Sequence, residues 1–283
     1  RRCFLVHGLL NIVFLHAGPV KDPGGQSGGR RNLKGYLIMK DADRLAGILK
    51  VSVVVLTGLL LARLSWLAWP DLIVDYGREV YVPWQLSGSS VLYRDIAYFY
   101  GPLSVYWNSI LFSVFGVSIF VMEMFNLVVV AALTFMIYRL FEWEGDNLSS
   151  VVVSAAFLIL FAFAKYFPMG GYNYVAPYSH ELVHGAFLSF AAIYMLRLHL
   201  KGDRLVWVFA SGFCAGLVAL TKLEVTLAMA AALVSGLVLV VLVKRAPAKR
   251  AMKMAGLFAV GLALPVVAFI AYLSFYMDAG QAA

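Results

Sequence analysis

The chain has 283 residues, of which 62% are hydrophobic and only 13% are charged. Its mean hydropathy is +0.84, whereas a soluble domain is about half apolar and about a quarter charged. This composition excludes an ordinary water-soluble protein, because too few polar residues are present to cover a surface that faces water. The net charge of +8 is distributed in short basic clusters between apolar runs, which is typical of cytoplasmic loops and not of nucleic-acid binding.

Residues 1–38 differ from the rest of the chain. They contain an apolar run from Cys3 to Ala17, too short to span a bilayer comfortably, and then a stretch rich in glycine. We expect residues 1–38 to be a disordered or artefactual extension and residues 39–283 to form one transmembrane domain. The chain stops at Ala283 directly after an apolar run, so we expect this domain to be incomplete at its C-terminus.

Apolar segments of spanning length follow one another along this domain. They are residues 46–69, 120–141, 149–167, 185–200, 205–221, 225–243 and 254–277. A shorter apolar segment, 103–117, ends at a turn around Gly116. The sequence therefore predicts an all-α fold, a polytopic membrane bundle of about seven transmembrane helices.

The basic residues favour one orientation of this bundle. If segment 103–117 does not cross the membrane, the basic groups of the N-terminal part and of the later loops share one side. These groups are Lys40, Arg44 and Lys50; Arg139; Arg197, Lys201 and Arg204; and Lys244, Arg245, Lys249, Arg250 and Lys253. The positive-inside rule then places the N-terminus inside, and segment 103–117 is interpreted as an interfacial helix in the first outer loop. Residues 70–118, 168–184 and 221–224 lie on the outer face.

The stretch from Pro70 to Tyr106 is too polar and too aromatic for a simple connection between two helices. Asp75 lies just beyond the first span, where a carboxylate can act as general base towards an acceptor hydroxyl or amine. The alternative interpretation is that Asp75 pairs with Arg78 or Arg94, or caps a helix. The aromatic residues of the stretch, Tyr98 among them, belong mostly to an interfacial belt, and some can stack on sugar rings.

The second outer segment contains the pattern H-E-x-x-H, from His180 to His184. On a helix the two histidines share a face one turn apart, as a zinc site requires, with Glu181 as base. The first alternative is a set of interfacial side chains hydrogen-bonded to nearby tyrosines. The second is that Glu181 and a histidine hold a divalent metal or a substrate without protease activity.

Lys222 and Glu224 interrupt two apolar runs at the third outer segment. Charges at such positions are costly and usually face a partner or a polar cavity. Lys222 can hold a phosphate as a point charge. The alternative is a mutual Lys222–Glu224 pair, or snorkelling of the lysine to the interface.

Four stretches between about Ala46 and Leu233 together carry a family resemblance. They are DYGREVYVPWQLSGSSVLYRDIAYFYGPLSVYWNSILFSVFGVS, FNLVVVAALTFMIYRLF, YSHELVHGAFLSFAAIYMLRL and GLVALTKLEV. Their order resembles the membrane-embedded glycosyltransferases that use polyprenyl-phosphate sugars, such as the protein O-mannosyltransferases and the aminoarabinose transferases of lipid A. The resemblance implies transfer of a sugar from a polyprenyl-phosphate donor to a lipid, glycan or protein acceptor.

The same resemblance implies roles for the acids of the first two outer segments. Asp75 matches the catalytic aspartate of the first outer loop, although Tyr76 stands where the family commonly has a second acid. Glu181 matches the acid that precedes a later span. His180 and His184 beside it would position a divalent metal or the sugar.

The cationic residues complete the implied site. Lys222 matches a lysine near the lipid phosphate, which Arg78 or Arg94 would help to hold, with Tyr98 as a further substrate contact. The implied location is the plasma (inner) membrane, with the site towards the periplasm or the exterior. The alternative hypotheses are an integral-membrane zinc metalloprotease and a non-enzymatic, transporter-like protein.

Overall fold

The computed structural model describes residues 29–68, 70, 76–144, 147–164, 173–244 and 247–277. Over these residues the chain is helical and contains no β-strand, apart from one isolated bridge between Leu92 and Ile96. The all-α prediction is therefore confirmed. Most of the predicted extension, residues 1–38, lies outside the described residues, although the first helix already includes residues 29–38.

The helices are numbered here in chain order. They are α1 Gly29–Leu64, α2 Tyr76–Ser87, α3 Leu103–Phe115, α4 Ile119–Glu144, α5 Asn147–Phe157 with a π-helical turn Leu158–Ala162, α6 His180–Gly202, α7 Val206–Ala219, α8 Leu223–Lys244 and α9 Ala248–Ser274.

Four helical segments are long and apolar enough to cross a membrane. They are Arg44–Leu64 of α1, Ile119–Trp143 of α4, His180–Gly202 (α6) and Ala248–Ser274 (α9). The remaining apolar helices are shorter, and they are Leu103–Phe115, Leu148–Ala162, Val206–Ala219 and Leu223–Gly236. Each predicted span overlaps a helix, and several apolar helices of this kind define a membrane-embedded, multi-pass protein.

The direction of the helices gives the bundle two distinct ends. At the start of α4, Asn126 contacts His180, the first residue of α6, and near the end of α4 Trp143 stacks on Tyr194 of α6 at 5.1 Å. Helices α4 and α6 therefore run parallel. The end that carries Asn126 and His180 is called the aromatic end below, and the end that carries Trp143 is called the basic end.

The intervening helices return to the aromatic end. The N–H of Tyr174, just before α6, bonds to the carbonyl of Ala162 at the end of α5. The turn after α7 lies against the second turn of α6, where Thr221 approaches Gly185. At the basic end, Arg250 near the start of α9 pairs with Asp203 at the end of α6.

The core consists of two apolar clusters that share α6. One fills the space between α1, α4, α5 and α6 around Leu133, Leu158 and Val183. The other lies between α6, α7 and α8 around Ala192 and Val218. Helix α6 is therefore packed on both sides, and its N-terminal turn with Val183 belongs to the first cluster.

Helices α7 and α9 approach each other closely through glycine. A Cβ added at Gly212 or Gly216 of α7 would collide with the backbone of α9, and one added at Gly261 of α9 would collide with the backbone of α7. Gly212 and Gly216 form a G-x-x-x-G pattern, which allows such close helix packing within membranes.

The first outer loop of the sequence prediction contains two helices. The expected helix near 103–117 is α3, which ends at Gly116 with a φ of 87°, a conformation that favours glycine. Helix α2 precedes it and packs on it through a small apolar cluster of Val82, Leu86 and Val105. The pair α2–α3 covers the aromatic end near α6.

Candidate functional site

The first turn of α6 is held by a carboxylate from another helix. Ser179, the residue before α6, makes no side-chain cap bond. Instead, Oε2 of Glu79 from α2 accepts a hydrogen bond of 3.0 Å from the backbone N–H of His180. A negative charge is favourable at the N-terminus of a helix, so Glu79 joins α2 to α6.

The His180 ring lies between two buried partners. Its Nδ1 is 2.7 Å from Oε2 of Glu79, and its Nε2 is 3.0 Å from Nδ2 of Asn126 in α4. Because the same Asn126 nitrogen donates to the carbonyl of Val175, the amide orientation is fixed and Nε2 of His180 acts as acceptor. His180 is thus the Nδ1–H tautomer and donates to Glu79.

Glu79 has a further partner in Arg78, whose guanidinium donates two hydrogen bonds to Oε1, at 2.8 and 3.2 Å. Burial raises the pKa of Glu79, but the hydrogen bonds from His180 and Arg78 outweigh it and hold this pKa below its ordinary value. Glu79 is only 2% exposed. An ionised carboxylate in this place is stable only because all of these donors surround it.

The neighbouring acid, Glu181, is also fully buried. Tyr98, from the loop before α3, donates its hydroxyl proton to Oε1 of Glu181. The hydroxyl of Ser179 donates to Oε2 at 2.9 Å. Arg78 and Lys222 lie close enough to interact electrostatically with this carboxylate.

Two cations share the ring of Tyr100. The guanidinium carbon of Arg78 lies 5.3 Å from the ring centroid, and Nζ of Lys222 lies 4.9 Å from it. The ring of Tyr98 packs edge-on against that of Tyr100 at 5.9 Å. The result is a cluster of two cations and two tyrosines beside the Glu181 carboxylate, called the Tyr100 cluster below.

The loop that carries these tyrosines is fixed to the turn after α7. The N–H of Gly101 bonds to the carbonyl of Thr221 at 2.6 Å, and the N–H of Leu103 bonds to the carbonyl of Leu220 at 2.9 Å. A Cβ at position 101 would collide with the Leu220 backbone. Glycine at this position therefore lets the first loop reach Lys222.

Two polar atoms near His180 lack a partner among the described contacts. Nδ1 of His184 contacts the hydroxyl of Ser104 at 3.0 Å, but Nε2 of His184 and the hydroxyl of Tyr76 are buried without one. Burial raises the pKa of Tyr76, and the nearby carboxylates of Glu123 and Glu79 raise it further. Unpaired buried groups are rare in proteins, so these atoms are places for polar groups of a ligand or for water.

The H-E-x-x-H residues lie together, and all of their side-chain polar atoms except Nε2 of His184 contact protein partners. Both ring nitrogens of His180 and both carboxylate oxygens of Glu181 have partners. Within the described part of the chain, no group of three or more His, Cys, Asp or Glu side chains is arranged to hold a metal ion. No chemical step below is assigned to a metal.

The structure brings together most of the residues singled out by the sequence. They meet in or beside the Tyr100 cluster, and they are Arg78, Tyr98, Glu181 and Lys222. Arg94 instead pairs with Asp95, with two bonds of 2.9 and 2.8 Å. Asp75, the predicted catalytic base, lies outside the described residues, directly before Tyr76 in the chain.

Sequence reasoning assigned no role to Glu79, Asn126 or Ser179. Asn126 gave a usable signal, because an amide inside an apolar span usually faces a polar partner. Glu79 was one of several acids in the first loop, and only its contacts with α6 distinguish it from them. Ser179 directly precedes the H-E-x-x-H pattern.

The fold and this cluster define a class: an all-helical membrane protein with a buried polar site at one end of its bundle. The chain matches no protein-family model, no curated protein and no solved structure.

Proposed function

We propose that the protein is a membrane glycosyltransferase that moves a sugar from a polyprenyl-phosphate carrier to an acceptor at the aromatic end. The observation that supports this proposal best is the Tyr100 cluster. Arg78 and Lys222 meet at one tyrosine ring beside a buried carboxylate, at the end of an apolar bundle. A lipid-linked phosphate needs this combination of fixed cations and access from a bilayer.

The two cations suit different parts of the phosphate. Arg78 is held in place by Glu79 and by the carbonyl of Tyr178, to which it donates at 3.2 Å. It is 35% exposed and can present its remaining donors as a planar fork. Lys222 provides a compact point charge from the opposite segment. Together they would stabilise the negative charge of the departing phosphate.

The proposed reaction needs no redox partner. The acceptor oxygen or nitrogen attacks the anomeric carbon, and a bond forms between these two atoms. The bond between that carbon and the phosphate oxygen breaks, and its electron pair leaves with the polyprenyl phosphate. Asp75, which directly precedes α2, takes the proton of the acceptor.

The buried acids have supporting roles in this mechanism. Glu181, with Tyr98 and Ser179, would bind hydroxyl groups of the sugar. Glu79 and His180 are positioning residues, since they fix the start of α6 and the orientation of Arg78. The unpaired Nε2 of His184 offers a further hydrogen-bond position towards the substrate.

We further propose that seven apolar helices, α1 and α4 to α9, cross the membrane. Helix α3 instead lies at the interface. The alternation of helix ends described above supports this count. The aromatic end then faces outwards from the plasma membrane, and the basic end faces the cytoplasm in agreement with the positive-inside rule.

The proposal is tested by mass spectrometry of glycolipids and glycoproteins from cells that carry the native gene, no gene, or a variant. Asp75→Asn should reduce the glycosylated product by at least about a hundredfold, because a general base contributes about 10² to 10⁴ in rate. The control is Lys249→Gln at the exposed basic end, which should leave the product unchanged. Unaltered product in membranes that contain Asp75→Asn at native levels would refute the assignment.

Measurements on the purified protein separate the alternative hypotheses. A zinc metalloprotease requires stoichiometric zinc that His180→Ala removes, together with peptide products in place of glycosylated ones. A transporter-like protein would change no glycan and would move solute into liposomes. Either result would replace the transferase proposal.

A further inference from the structure

Helices α7 and α3 meet end to end at the aromatic end. The N–H of Leu103, the first residue of α3, bonds to the carbonyl of Leu220, which directly follows α7. The N–H of Gly101 bonds in the same way to the carbonyl of Thr221. The first N–H groups and the last carbonyls of a helix have no partner within that helix. At this junction the two helix ends satisfy each other, although they lie far apart in the chain.

Glycine makes the junction possible from the side of the first loop. A Cβ added at Gly101 would lie 2.3 Å from the carbonyl carbon and oxygen of Leu220 and 2.6 Å from the carbonyl oxygen of Thr221. These are backbone atoms at a helix end, which cannot rotate away as a side chain can. The φ of Gly101 is not positive, so close approach, and not backbone conformation, requires glycine here.

A second glycine meets the same turn from α6. A Cβ added at Gly185 would lie 2.8 Å from Oγ1 of Thr221 and 3.0 Å from Cγ1 of Val225. The hydroxyl of Thr221 donates to the carbonyl of Val218 at 2.6 Å, and it cannot rotate away without losing this bond. Thr221 is only 1% exposed. It is therefore enclosed by the first loop and by α6, with a glycine at each contact.

Lys222 directly follows this enclosed residue. Its carbonyl accepts a hydrogen bond of 3.0 Å from the N–H of Thr226, and the Thr226 hydroxyl lies 3.1 Å from the carbonyls of both Val218 and Lys222. The backbone of Lys222 is thus tied to the turn. Its Nζ lies 4.9 Å from the ring centroid of Tyr100, and Tyr100 directly precedes Gly101. The junction therefore decides where the ring and the ammonium group meet.

We propose that Gly101 and Gly185 are positioning residues that hold Lys222 against the Tyr100 ring, in place for the phosphate of a lipid-linked substrate. This inference rests on the proposed function of the Tyr100 cluster. A charge that is fixed before the ligand binds needs no reorganisation when the ligand arrives. A Cβ at Gly101 would have to move from 2.3 Å to ordinary contact near 3.4 Å, a separation of roughly 1 Å. Such a displacement is enough to disturb an oriented contact.

The positioning role is tested by retention of a polyprenyl phosphate in native mass spectrometry of the full chain, on variants that elute with the native protein in size-exclusion chromatography. Gly101→Ala and Gly185→Ala should each weaken retention by about tenfold, as Lys222→Gln does. In the Lys222→Gln background each should add less than about twofold, because both act through that lysine. The matched control is Gly88→Ala, exposed in the same loop with its nearest atom at 3.5 Å, which should retain the lipid. Losses that multiply in the double variants, or native retention in both single variants, would overturn the proposal.

A spectroscopic test needs no substrate. After ¹³C-dimethylation of lysines, the NMR signal absent from Lys222→Gln belongs to Lys222, and the ring of Tyr100 should shift it. Gly101→Ala and Gly185→Ala should reduce this ring-current shift, whereas Gly88→Ala should keep it. An unchanged Lys222 signal in both glycine variants would overturn the proposal. A shift lost in these variants, together with no retention of polyprenyl phosphate by the native chain, would support the positioning of Lys222 and refute the proposed function instead.

Discussion

Glu79 accepts hydrogen bonds from a backbone N–H, an imidazole and a guanidinium that belong to two different helices. Removing this carboxylate would leave two buried donors of His180, its backbone N–H and its Nδ1–H, without their acceptor, whereas Arg78 is partly exposed and keeps the carbonyl of Tyr178. Leaving a buried donor unsatisfied costs about 1 to 3 kcal/mol. The contact is therefore as important for the stability of the aromatic end as for its chemistry.

We expect Glu79→Gln to lower the free energy of unfolding by about 2 kcal/mol, because hydrogen bonds to a charged acceptor are replaced by weaker ones to a neutral amide, measured by denaturant titration in detergent. The control is Glu224→Gln, an exposed acid in the first turn of α8, whose loss should cost less than about 1 kcal/mol. Equal effects of the two substitutions would show that Glu79 does not hold α2 to α6.

Glu79 also predicts a pH dependence. Its pKa is lowered in the folded protein from the ordinary value of 4.5, so its stabilisation is complete above that value and is lost as the pH falls through the folded pKa. Between about pH 5 and about pH 3, the native Tm should fall more steeply than that of Glu79→Gln. Parallel curves would contradict the charged state assigned to Glu79.

The sequence identified Glu181 because it belongs to the H-E-x-x-H pattern. It identified Lys222 because this lysine interrupts an apolar run. It also assigned Arg94 to the phosphate, whereas the structure pairs this arginine with the adjacent Asp95. The sequence could not find the role of Glu79, since a contact between residues 79 and 180 depends on how α2 folds back onto α6. Such long-range contacts leave no local periodicity.

At the scale of elements, the apolar helices were predictable from hydrophobicity, but two boundaries were not. Helix α2 lies in the segment that the sequence predicts as an outer loop. It contains Pro83, a residue type that usually interrupts a helix. Helix α6 begins at His180, before the predicted start at 185, because its polar first turn is stabilised by Glu79 from outside the helix. In both places tertiary contacts decide the outcome.

The close packing of α7 on α9 gives a prediction at the same scale. Gly261→Leu should separate these helices and destabilise the protein by about 3 kcal/mol or more, because overpacking against backbone cannot relax easily. Gly256→Leu lies in the same helix at an open position and should have little effect. Thermal unfolding of both variants in detergent gives the comparison, and similar Tm values would contradict the packing described.

At the scale of the whole molecule, the two ends differ in chemistry. The Tyr100 cluster and the α2–α3 pair lie at one end, and Arg139, Arg197, Lys201 and Arg250 lie at the other. The distribution of basic residues in the sequence predicts such an asymmetry, and the orientation of the bundle in the membrane stays a prediction. The convergence of the three predicted outer segments on one cluster required the structure.

Orientation is tested by labelling single cysteines with a membrane-impermeant maleimide, in a background where Cys3 and Cys214 are replaced. Ser89→Cys, exposed in the loop after α2, should react in intact cells. Lys249→Cys, exposed at the start of α9, should react only after the cells are permeabilised. The reverse pattern would place the Tyr100 cluster on the cytoplasmic side and exclude the proposed topology.

The central claim is that Arg78 and Lys222 bind a lipid-linked phosphate. Its most direct test is retention of a polyprenyl phosphate by the purified protein in native mass spectrometry. Lys222→Gln should weaken retention by about tenfold, while Lys249→Gln at the exposed basic end should retain the lipid like the native chain. Equal retention by Lys222→Gln and the native protein would contradict the account.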